Sequence, residues 1–324
     1  MSEITLSITS VPIRGRYAPS PSGDLHMGNL RTALLAWLYA KGMGGKFVLR
    51  IEDLDLPRMR AGATERILED LRWLGLYWDE GPDNGGPYAP YTQSARLDIY
   101  QHYLAQLQRQ GYIYPCYCSR AEIAHIASAP QQGTDEGPRY PGTCRHLSAA
   151  QRKLREASGR CPSWRFRVDD ERVVTFNDLL AGPITQQVQQ VVGDFIVKRS
   201  DGIFAYQFAV VVDDALMRIN QVVRGRDLLT STPRQILLFE ALGFPVPAFV
   251  HVPLVLDEQG KRLAKRQQST GLSLLRAQGA TPEQVIGQLA ASCGLVERGT
   301  AISPSALAQQ LGGRVHGIMQ TKLK

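Results

Sequence analysis

The residues between positions 16 and 29 combine side chains and a turn that suit a bound phosphate. They read Arg-Tyr-Ala-Pro-Ser-Pro-Ser-Gly-Asp-Leu-His-Met-Gly-Asn, and an apolar helical pattern follows from Leu30 to Lys41. The predicted helix therefore begins at Gly28 or Asn29. A helix N-terminus presents unpaired N–H groups and the positive end of the helix dipole, and Gly28 lets a nucleotide approach the backbone closely. His26 precedes this helix, within reach of the same phosphates.

A second segment carries acidic residues at the end of a predicted strand. Residues 46–55 read Lys-Phe-Val-Leu-Arg-Ile-Glu-Asp-Leu-Asp, so a buried strand leads into Glu52 and its acidic neighbours. In open α/β sheets, ligands gather at the carboxyl ends of the strands. The acidic run is therefore expected at the ligand-binding edge of the sheet.

The cysteines predict a metal site more readily than disulfides. Their number is odd, and three of the five are clustered in sequence, which favours a metal over a disulfide framework. Three thiolates leave a tetrahedral zinc site one ligand short, and His125 and His146 are chemically suitable for the fourth position. Buried free thiols are the alternative. The five cysteines are Cys116, Cys118, Cys144, Cys161 and Cys293.

Composition favours a partner with many negative charges. The 324 residues carry 37 Lys and Arg against 30 Asp and Glu, a formal net charge of +7. This excess favours RNA, although many proteins with a similar excess bind no nucleic acid. No apolar run approaches the length of a membrane span, and residues 1–10 lack the basic and apolar regions of a signal peptide. We expect a cytoplasmic monomer that does not bind membranes.

Strands alternate with amphipathic helices on both sides of a cysteine-bearing segment. Helices are predicted over 60–76 and 94–111 and from Thr232, and strands over 164–168, 194–199, 204–212 and 222–225. This alternation predicts an α/β fold with a doubly wound parallel sheet. The expected domains are 1–110 and 194–250 as the two halves of the sheet domain, 111–193 as an inserted α+β subdomain, and 251–324 as a small helical domain.

Two motifs together resemble those of the class I glutamyl-tRNA synthetases. The turn with its His-Met-Gly-Asn sequence is similar to the family's His-Ile-Gly-His type signature, although Asn29 departs from the final histidine. Residues 262–266, Arg-Leu-Ala-Lys-Arg, resemble the second signature, Lys-Met-Ser-Lys-Ser, with Ala264 in place of the serine. By themselves, these basic residues would be read as a solvated charge run. The resemblance implies the Rossmann-type catalytic domain of that class, with ATP and Mg²⁺ as substrate.

The resemblance also implies roles for individual residues. His26, Gly28 and Lys265 would be catalytic, and Asn29 and Arg262 would join them in binding ATP. A bound glutamate needs a guanidinium for its carboxylate and an anion for its ammonium group. No general base is required, because the attacking carboxylate is already ionised and positioning carries the rate. The implied glutamate-binding residues are Arg16, Ser20, Glu52, Tyr206 and Arg224.

A tyrosine completes the metal site in one short branch of the family. That branch has a Cys-x-Cys, Tyr-x-x-x-Cys zinc site, to which Cys116, Cys118, Tyr140 and Cys144 correspond, with a longer gap before Tyr140. The resemblance implies one structural zinc ion per chain, held within residues 111–193. This inserted subdomain would also bind the RNA acceptor. The helical segment 251–324 would carry the lysine loop and contact the RNA stem.

The segment after Lys265 is too short for the large helical domain with which a glutamyl-tRNA synthetase reads an anticodon. The resemblance therefore points to a shortened branch that activates L-glutamate with ATP without needing tRNA. That branch transfers glutamate to the queuosine base in the anticodon loop of tRNA(Asp). One alternative is a truncated or discriminating synthetase that charges the 3′ end of tRNA(Glu). Another is a non-catalytic tRNA-binding paralogue, suggested by Asn29 and Ala264.

Overall fold

The computed structural model describes residues 11–119, 121–123, 139–253 and 271–322. Arg262 and Lys265, predicted to bind ATP, lie outside the described residues, as does His125. The strands are β1 (Arg14–Tyr17), β2 (Lys46–Leu49), β3 (Ile113–Cys116), β4 (Ser163–Phe166), β5 (Val173–Asp178), β6 (Gly182–Gln187), β7 (Phe195–Lys198), β8 (Gln221–Gly225) and β9 (Ala248–Val252). The helices are α1 (Met27–Lys41), α2 (Ala63–Trp73), α3 (Leu97–Arg109), α4 (Ala149–Ala157), α5 (Val188–Val191), α6 (Tyr206–Leu216), α7 (Thr232–Leu242), α8 (Leu272–Ala277), α9 (Pro282–Ala291), α10 (Pro304–Leu311) and α11 (Val315–Lys322).

A parallel sheet of four strands forms the centre of the molecule. Its order is β2, β1, β8, β9, and each neighbouring pair is parallel. The carboxyl ends of β1 and β8 therefore lie side by side at one edge. The prediction of an α/β fold with a parallel sheet is confirmed.

Helices cover both faces of this sheet. In β2, Phe47 and Leu49 pack into the core cluster that contains α1 and the helices after residue 271, whereas Val48 packs into the cluster that contains α3, α6 and α7. In β8, Val223 packs into the first of these clusters and Val222 into the second. Successive side chains of a strand point to opposite faces, so an apolar strand buried on both sides reads as a continuous hydrophobic run.

Residues 113–198 contribute two small antiparallel sheets. One has the order β3, β4, β7, and the other is the hairpin of β5 and β6. Residues 194–199 were predicted to resume the parallel sheet, and that prediction is wrong, because β7 pairs with β4. A short apolar strand carries no local signal for the sheet that it joins.

The segment predicted as a strand over 204–212 is also different in the structure. It forms α6, in which the residues from Gln207 to Asp214 are all buried. A helix that is buried all round shows no 3.6-residue period, and the valines at 210–212 favour a strand by local propensity. Burial against its neighbours, rather than sequence pattern, therefore determines this helix.

Four helices follow the gap after residue 253 in the described part of the chain. The residue before α9, Thr281, caps this helix: its hydroxyl accepts a hydrogen bond from the amide of Gln284, and Pro282 lies in the first turn. These helices pack against the outer side of α1. Among the residues that the structure describes, no helix has both the length and the apolar character needed to cross a membrane.

Candidate functional site

A cleft of about 910 Å³ opens at the carboxyl ends of β1 and β8. Every predicted nucleotide- or glutamate-binding residue that the structure describes lines this cleft. They are Arg16, Ser20, His26, Gly28, Asn29, Glu52, Tyr206 and Arg224. The parallel topology accounts for this convergence, because the loops after adjacent parallel strands leave the sheet at the same edge. Pro253 and Gly271, which flank the segment 254–270, also line the cleft.

His26 lines the cleft and caps α1. Its Nδ1 accepts hydrogen bonds from the amides of Gly28 (3.1 Å) and Asn29 (3.3 Å). The Oδ1 of Asn29 accepts in return from the amide of His26 at 3.4 Å. The expectation of unpaired amides at this helix start is wrong for these two groups. An imidazole whose Nδ1 accepts carries its proton on Nε2, so His26 presents an N–H donor on its other side.

The geometry around His26 explains two features of the motif. A Cβ atom at position 28 would lie 3.1 Å from both Cε1 and Nδ1 of the imidazole, closer than ordinary van der Waals contact. Glycine at this position therefore leaves room for the capping imidazole. Asn29, which departs from the family signature, supplies the acceptor of a capping box.

Arg224 brings a buried positive charge to the cleft. Its side chain donates to Gln235 Oε1 (2.7 Å), Thr232 Oγ1 (2.8 Å) and His251 Nε2 (2.9 Å). Arg224 is 4% exposed, and it forms no ion pair with a carboxylate in the part of the chain that the structure describes. Burial lowers the pKa of Arg224. A buried guanidinium whose hydrogen-bond partners are all neutral is costly unless an anion joins it, so this position suits a ligand carboxylate.

Arg16 and Glu52 are linked through two buried charged residues, Asp214 and Arg50, for which the sequence predicted no role. Asp214 accepts from Arg16 Nε (3.1 Å) and from Arg50 Nη1 (2.8 Å). Arg50 in turn donates from Nη2 to Glu52 Oε1 at 3.0 Å. Burial would raise the pKa of Asp214, but the charges of Arg16 and Arg50 hold it below its usual value. Burial raises the pKa of Glu52 despite these same arginines. The chain of contacts fixes the positions of Arg16 and Glu52 at the cleft.

The neighbouring Asp213 anchors this network in the protein core. Its fully buried carboxylate accepts from Arg96 Nε (2.7 Å), Gln93 Nε2 (2.7 Å) and the hydroxyl of Tyr100 (2.9 Å). In the sequence, Asp213 and Asp214 directly follow the run predicted as a strand over 204–212, and Arg50 stands between Leu49 and Ile51. The one sequence feature that could have identified these residues as a buried network is the presence of charged residues beside or inside apolar runs.

The three clustered cysteines meet at a second site, near the end of β3. The sulfurs of Cys116, Cys118 and Cys144 all lie within 4.8 Å of one another. The hydroxyl of Tyr140 lies 3.3 Å from Cys116 Sγ and 3.7 Å from Cys118 Sγ, and Cys118 Sγ lies 3.6 Å from Cys144 Sγ. Zn–S bonds of about 2.3 Å place the sulfurs of a tetrahedral site about 3.8 Å apart. The four ligand atoms therefore have the spacing of a metal site.

The surroundings of the cysteine cluster also suit a metal with anionic ligands. The guanidinium of Arg165 lies 3.8 Å above the ring centroid of Tyr140, and Arg165 is buried. His146, the rival fourth ligand, is exposed and does not belong to the cluster among the described residues. Cys161 is exposed and Cys293 lies elsewhere in the core, where it accepts a hydrogen bond from Arg31.

Comparison with known proteins agrees with this geometry. Residues 12–300 match the family model described as tRNA synthetases class I (E and Q), catalytic domain. The chain is 56% identical to the Glutamyl-Q tRNA(Asp) synthetase of Symbiobacterium thermophilum over 90% of both chains. It is 50% identical to the protein of that name from Nitratidesulfovibrio vulgaris, over 88% of this chain and 87% of the relative.

A solved structure gives the same fold. The glutamate tRNA ligase of Elizabethkingia meningosepticum, in complex with its amino acid, matches with a TM-score of 0.80 and 32% identity. The match covers 92% of this chain, which spans 64% of that protein's length. The motifs at the cleft, the parallel sheet beneath it and these matches lead to one conclusion: the chain belongs to the class I glutamyl- and glutaminyl-tRNA synthetase family.

Proposed function

We propose that this protein activates L-glutamate with ATP, without requiring tRNA, and transfers it to the queuosine base of tRNA(Asp). The observation that carries the activation step is Arg224, a buried guanidinium that faces the cleft without a carboxylate partner among the described residues. A substrate with two carboxylates supplies that partner with one and reacts through the other. The ammonium group of glutamate would meet Glu52, and Arg16, Ser20 and Tyr206 would complete the recognition of the amino acid.

Activation joins a glutamate carboxylate oxygen to the α-phosphorus of ATP and releases pyrophosphate. The nucleophile is already ionised, so the enzyme contributes positioning and charge neutralisation. His26 would donate from Nε2–H to a phosphate, and Gly28 and Asn29 would keep that imidazole in place. We propose that Arg262 and Lys265 neutralise the departing pyrophosphate, since their segment joins Pro253 to Gly271 at the cleft. Mg²⁺ would accompany the ATP.

Transfer to queuosine is supported by the names of the two relatives that match about nine-tenths of this chain. The net charge of +7 suits an RNA substrate. An anticodon stem-loop is a short A-form helix with a single-stranded end, so its shape and phosphate spacing can imitate an acceptor arm. A hydroxyl of the cyclopentene ring of queuosine would then attack the glutamyl-adenylate and release AMP.

We further propose that Cys116, Cys118, Tyr140 and Cys144 hold one structural zinc ion. The support is the spacing of their four ligand atoms and the position of Arg165, whose charge would offset part of the ligands' negative charge. Zinc would connect the end of β3 to residues 140–144 and so stabilise the inserted subdomain, which we propose contacts the RNA acceptor.

Labelled glutamate tests the acceptor directly. The purified protein, ATP and labelled glutamate are incubated with tRNA(Asp) that contains queuosine, with the same tRNA without queuosine, and with tRNA(Glu). We expect an alkali-labile label on the queuosine-containing tRNA(Asp) alone. An isolated anticodon stem-loop with queuosine should also be a substrate.

The competing functions give different outcomes in the same experiment. Label on the terminal adenosine of tRNA(Glu), with none on queuosine-containing tRNA(Asp), would establish a glutamyl-tRNA synthetase instead. Absence of glutamate-dependent ATP–pyrophosphate exchange would favour a non-catalytic RNA-binding paralogue over both enzymes.

A further inference from the structure

Two buried residues outside the lining of the cleft stand behind Arg224: His251 contacts its guanidinium, and Asp178 contacts His251. We propose that His251 and Asp178 are positioning residues for glutamate recognition, acting together to fix the orientation of the Arg224 guanidinium. This inference rests on the proposed function, in which Arg224 receives a glutamate carboxylate. It assigns a specificity role to the end of the β5–β6 hairpin, which lies outside the parallel sheet.

The hydrogen bonds determine which nitrogen of His251 carries the proton. Arg224 Nε–H can only donate, and it lies 2.9 Å from His251 Nε2, so this nitrogen must accept. On the other side of the ring, His251 Nδ1 lies 2.6 Å from Asp178 Oδ2, a contact that requires a proton on Nδ1. The imidazole is therefore neutral and protonated on Nδ1. Burial lowers the pKa of His251, which agrees with this state.

Asp178 is in turn held by the backbone. Its Oδ1 accepts from the amides of Leu180 (3.0 Å) and Ala181 (2.7 Å), and Asp178 and His251 are both almost completely buried. The amide of His251 also points at this carboxylate, at 3.2 Å from Oδ2. The carboxylate therefore has fixed N–H donors on both oxygens, and the order Asp178, His251, Arg224 runs from the hairpin to the cleft.

This arrangement makes Asp178→Asn an informative variant. The asparagine oxygen should stay toward the amides of Leu180 (3.0 Å) and Ala181 (2.7 Å), because the reverse orientation sets the NH₂ group against both of these donors, whereas the favoured one opposes only the more distant amide of His251 (3.2 Å). The NH₂ group then faces His251 Nδ1 and forces that nitrogen to accept. The proton moves to Nε2, where it opposes the Nε–H of Arg224, and the guanidinium loses its fixed orientation.

The test combines kinetics with a direct reading of the imidazole. In glutamate-dependent ATP–pyrophosphate exchange, Asp178→Asn should raise the KM for glutamate on the order of tenfold, the cost of one charged hydrogen bond. The KM for ATP should stay within about twofold, because Arg224 does not take part in the proposed nucleotide contacts. Nitrogen NMR of the ligand-free protein should show His251 protonated on Nδ1 in the wild type and on Nε2 in the variant.

Controls separate positioning from general loss of structure. Asp170→Asn changes a carboxylate that is 76% exposed in the same region and should leave both KM values unchanged. His251→Leu should raise the glutamate KM, and His251→Gln, whose amide keeps a donor and an acceptor, should restore part of it.

Three results would overturn the proposal. They are a wild-type His251 protonated on Nε2, a folded Asp178→Asn with the wild-type glutamate KM, and equal effects of the leucine and glutamine variants. A wild-type protein without glutamate-dependent exchange would instead contradict the proposed function, whatever the tautomer of His251.

Discussion

Arg224 and Arg16 illustrate two ways in which the protein supports a buried guanidinium. Arg16 is paired with Asp214, so its charge is balanced before any ligand arrives. Arg224 has only neutral hydrogen-bond partners in the described part of the chain. We therefore propose that Arg16 provides orientation, whereas the substrate balances the charge of Arg224.

Substitution of Arg224 tests this assignment at the level of a single residue. Arg224→Ala should weaken glutamate binding by about 3 kcal/mol, roughly a hundredfold rise in KM, because the carboxylate of the ligand is left without its partner. Arg224→Lys should recover only part of the loss, since an ammonium lacks the planar fork. The measurement is the glutamate KM in ATP–pyrophosphate exchange.

The exposed Arg226 provides a matched control two residues along the chain. Arg226→Ala should leave the glutamate KM unchanged. If Arg224→Ala also kept the wild-type KM, Arg224 would not bind the substrate carboxylate.

At the scale of elements, the cysteine cluster joins the end of β3 to residues 140–144. If zinc occupies it, Cys144→Ser should lose the metal more readily than Tyr140→Phe, because thiolates bind zinc more tightly than a phenolate does. Cys161→Ser, an exposed cysteine away from the cluster, should retain it. Metal analysis of the three purified variants and the wild type makes the comparison.

The zinc content of the wild-type protein tests whether the cluster holds a metal. A closed tetrahedral site predicts about one zinc ion per wild-type chain. A content below about 0.2 ions per chain would leave a cluster of buried thiols as the better description.

Another connection between elements lies beneath the cleft. Asp213 and Asp214, adjacent in α6, bind Arg96 before α3 and Arg50 after β2, respectively. Arg16 and Glu52, which line the cleft, form ion pairs within this network. Because this network is buried in the core, the charged groups that line the cleft are already oriented before the substrate binds.

For the whole molecule, net charge should matter for RNA and little for glutamate activation. The protein has a formal charge of +7, and its binding to RNA releases counterions from the phosphates. Transfer of glutamate to queuosine-containing tRNA(Asp) should therefore fall steeply as the salt concentration rises. Exchange of ATP and pyrophosphate without tRNA should change much less over the same range.

The two reactions are compared in the same buffers between about 50 and 200 mM salt, a range over which several phosphate contacts reduce affinity by orders of magnitude. If both rates fell in parallel, the loss would lie in the activation step, and the proposed charge-dependent RNA binding would not be supported.

The sequence by itself indicated which edge of the sheet carries the candidate binding residues. Glu52 follows a predicted buried strand, the family resemblance singled out Arg16 and Arg224, and parallel strands bring their carboxyl ends to one edge whatever the details of packing. The cysteine spacing likewise indicated a metal site, and His26 with Gly28 indicated the start of a helix. These signals are local, so they could be read without the fold.

Tertiary structure alone decided the rest. The run at 204–212 lies largely in a helix because it is buried among other elements. The strand β7 joins the antiparallel sheet of β3 and β4 because it pairs with β4. Asp178 and His251 are 73 residues apart, and no local pattern connects them. Their pairing, and with it the tautomer of the imidazole behind Arg224, depends on long-range contacts that only the folded chain creates.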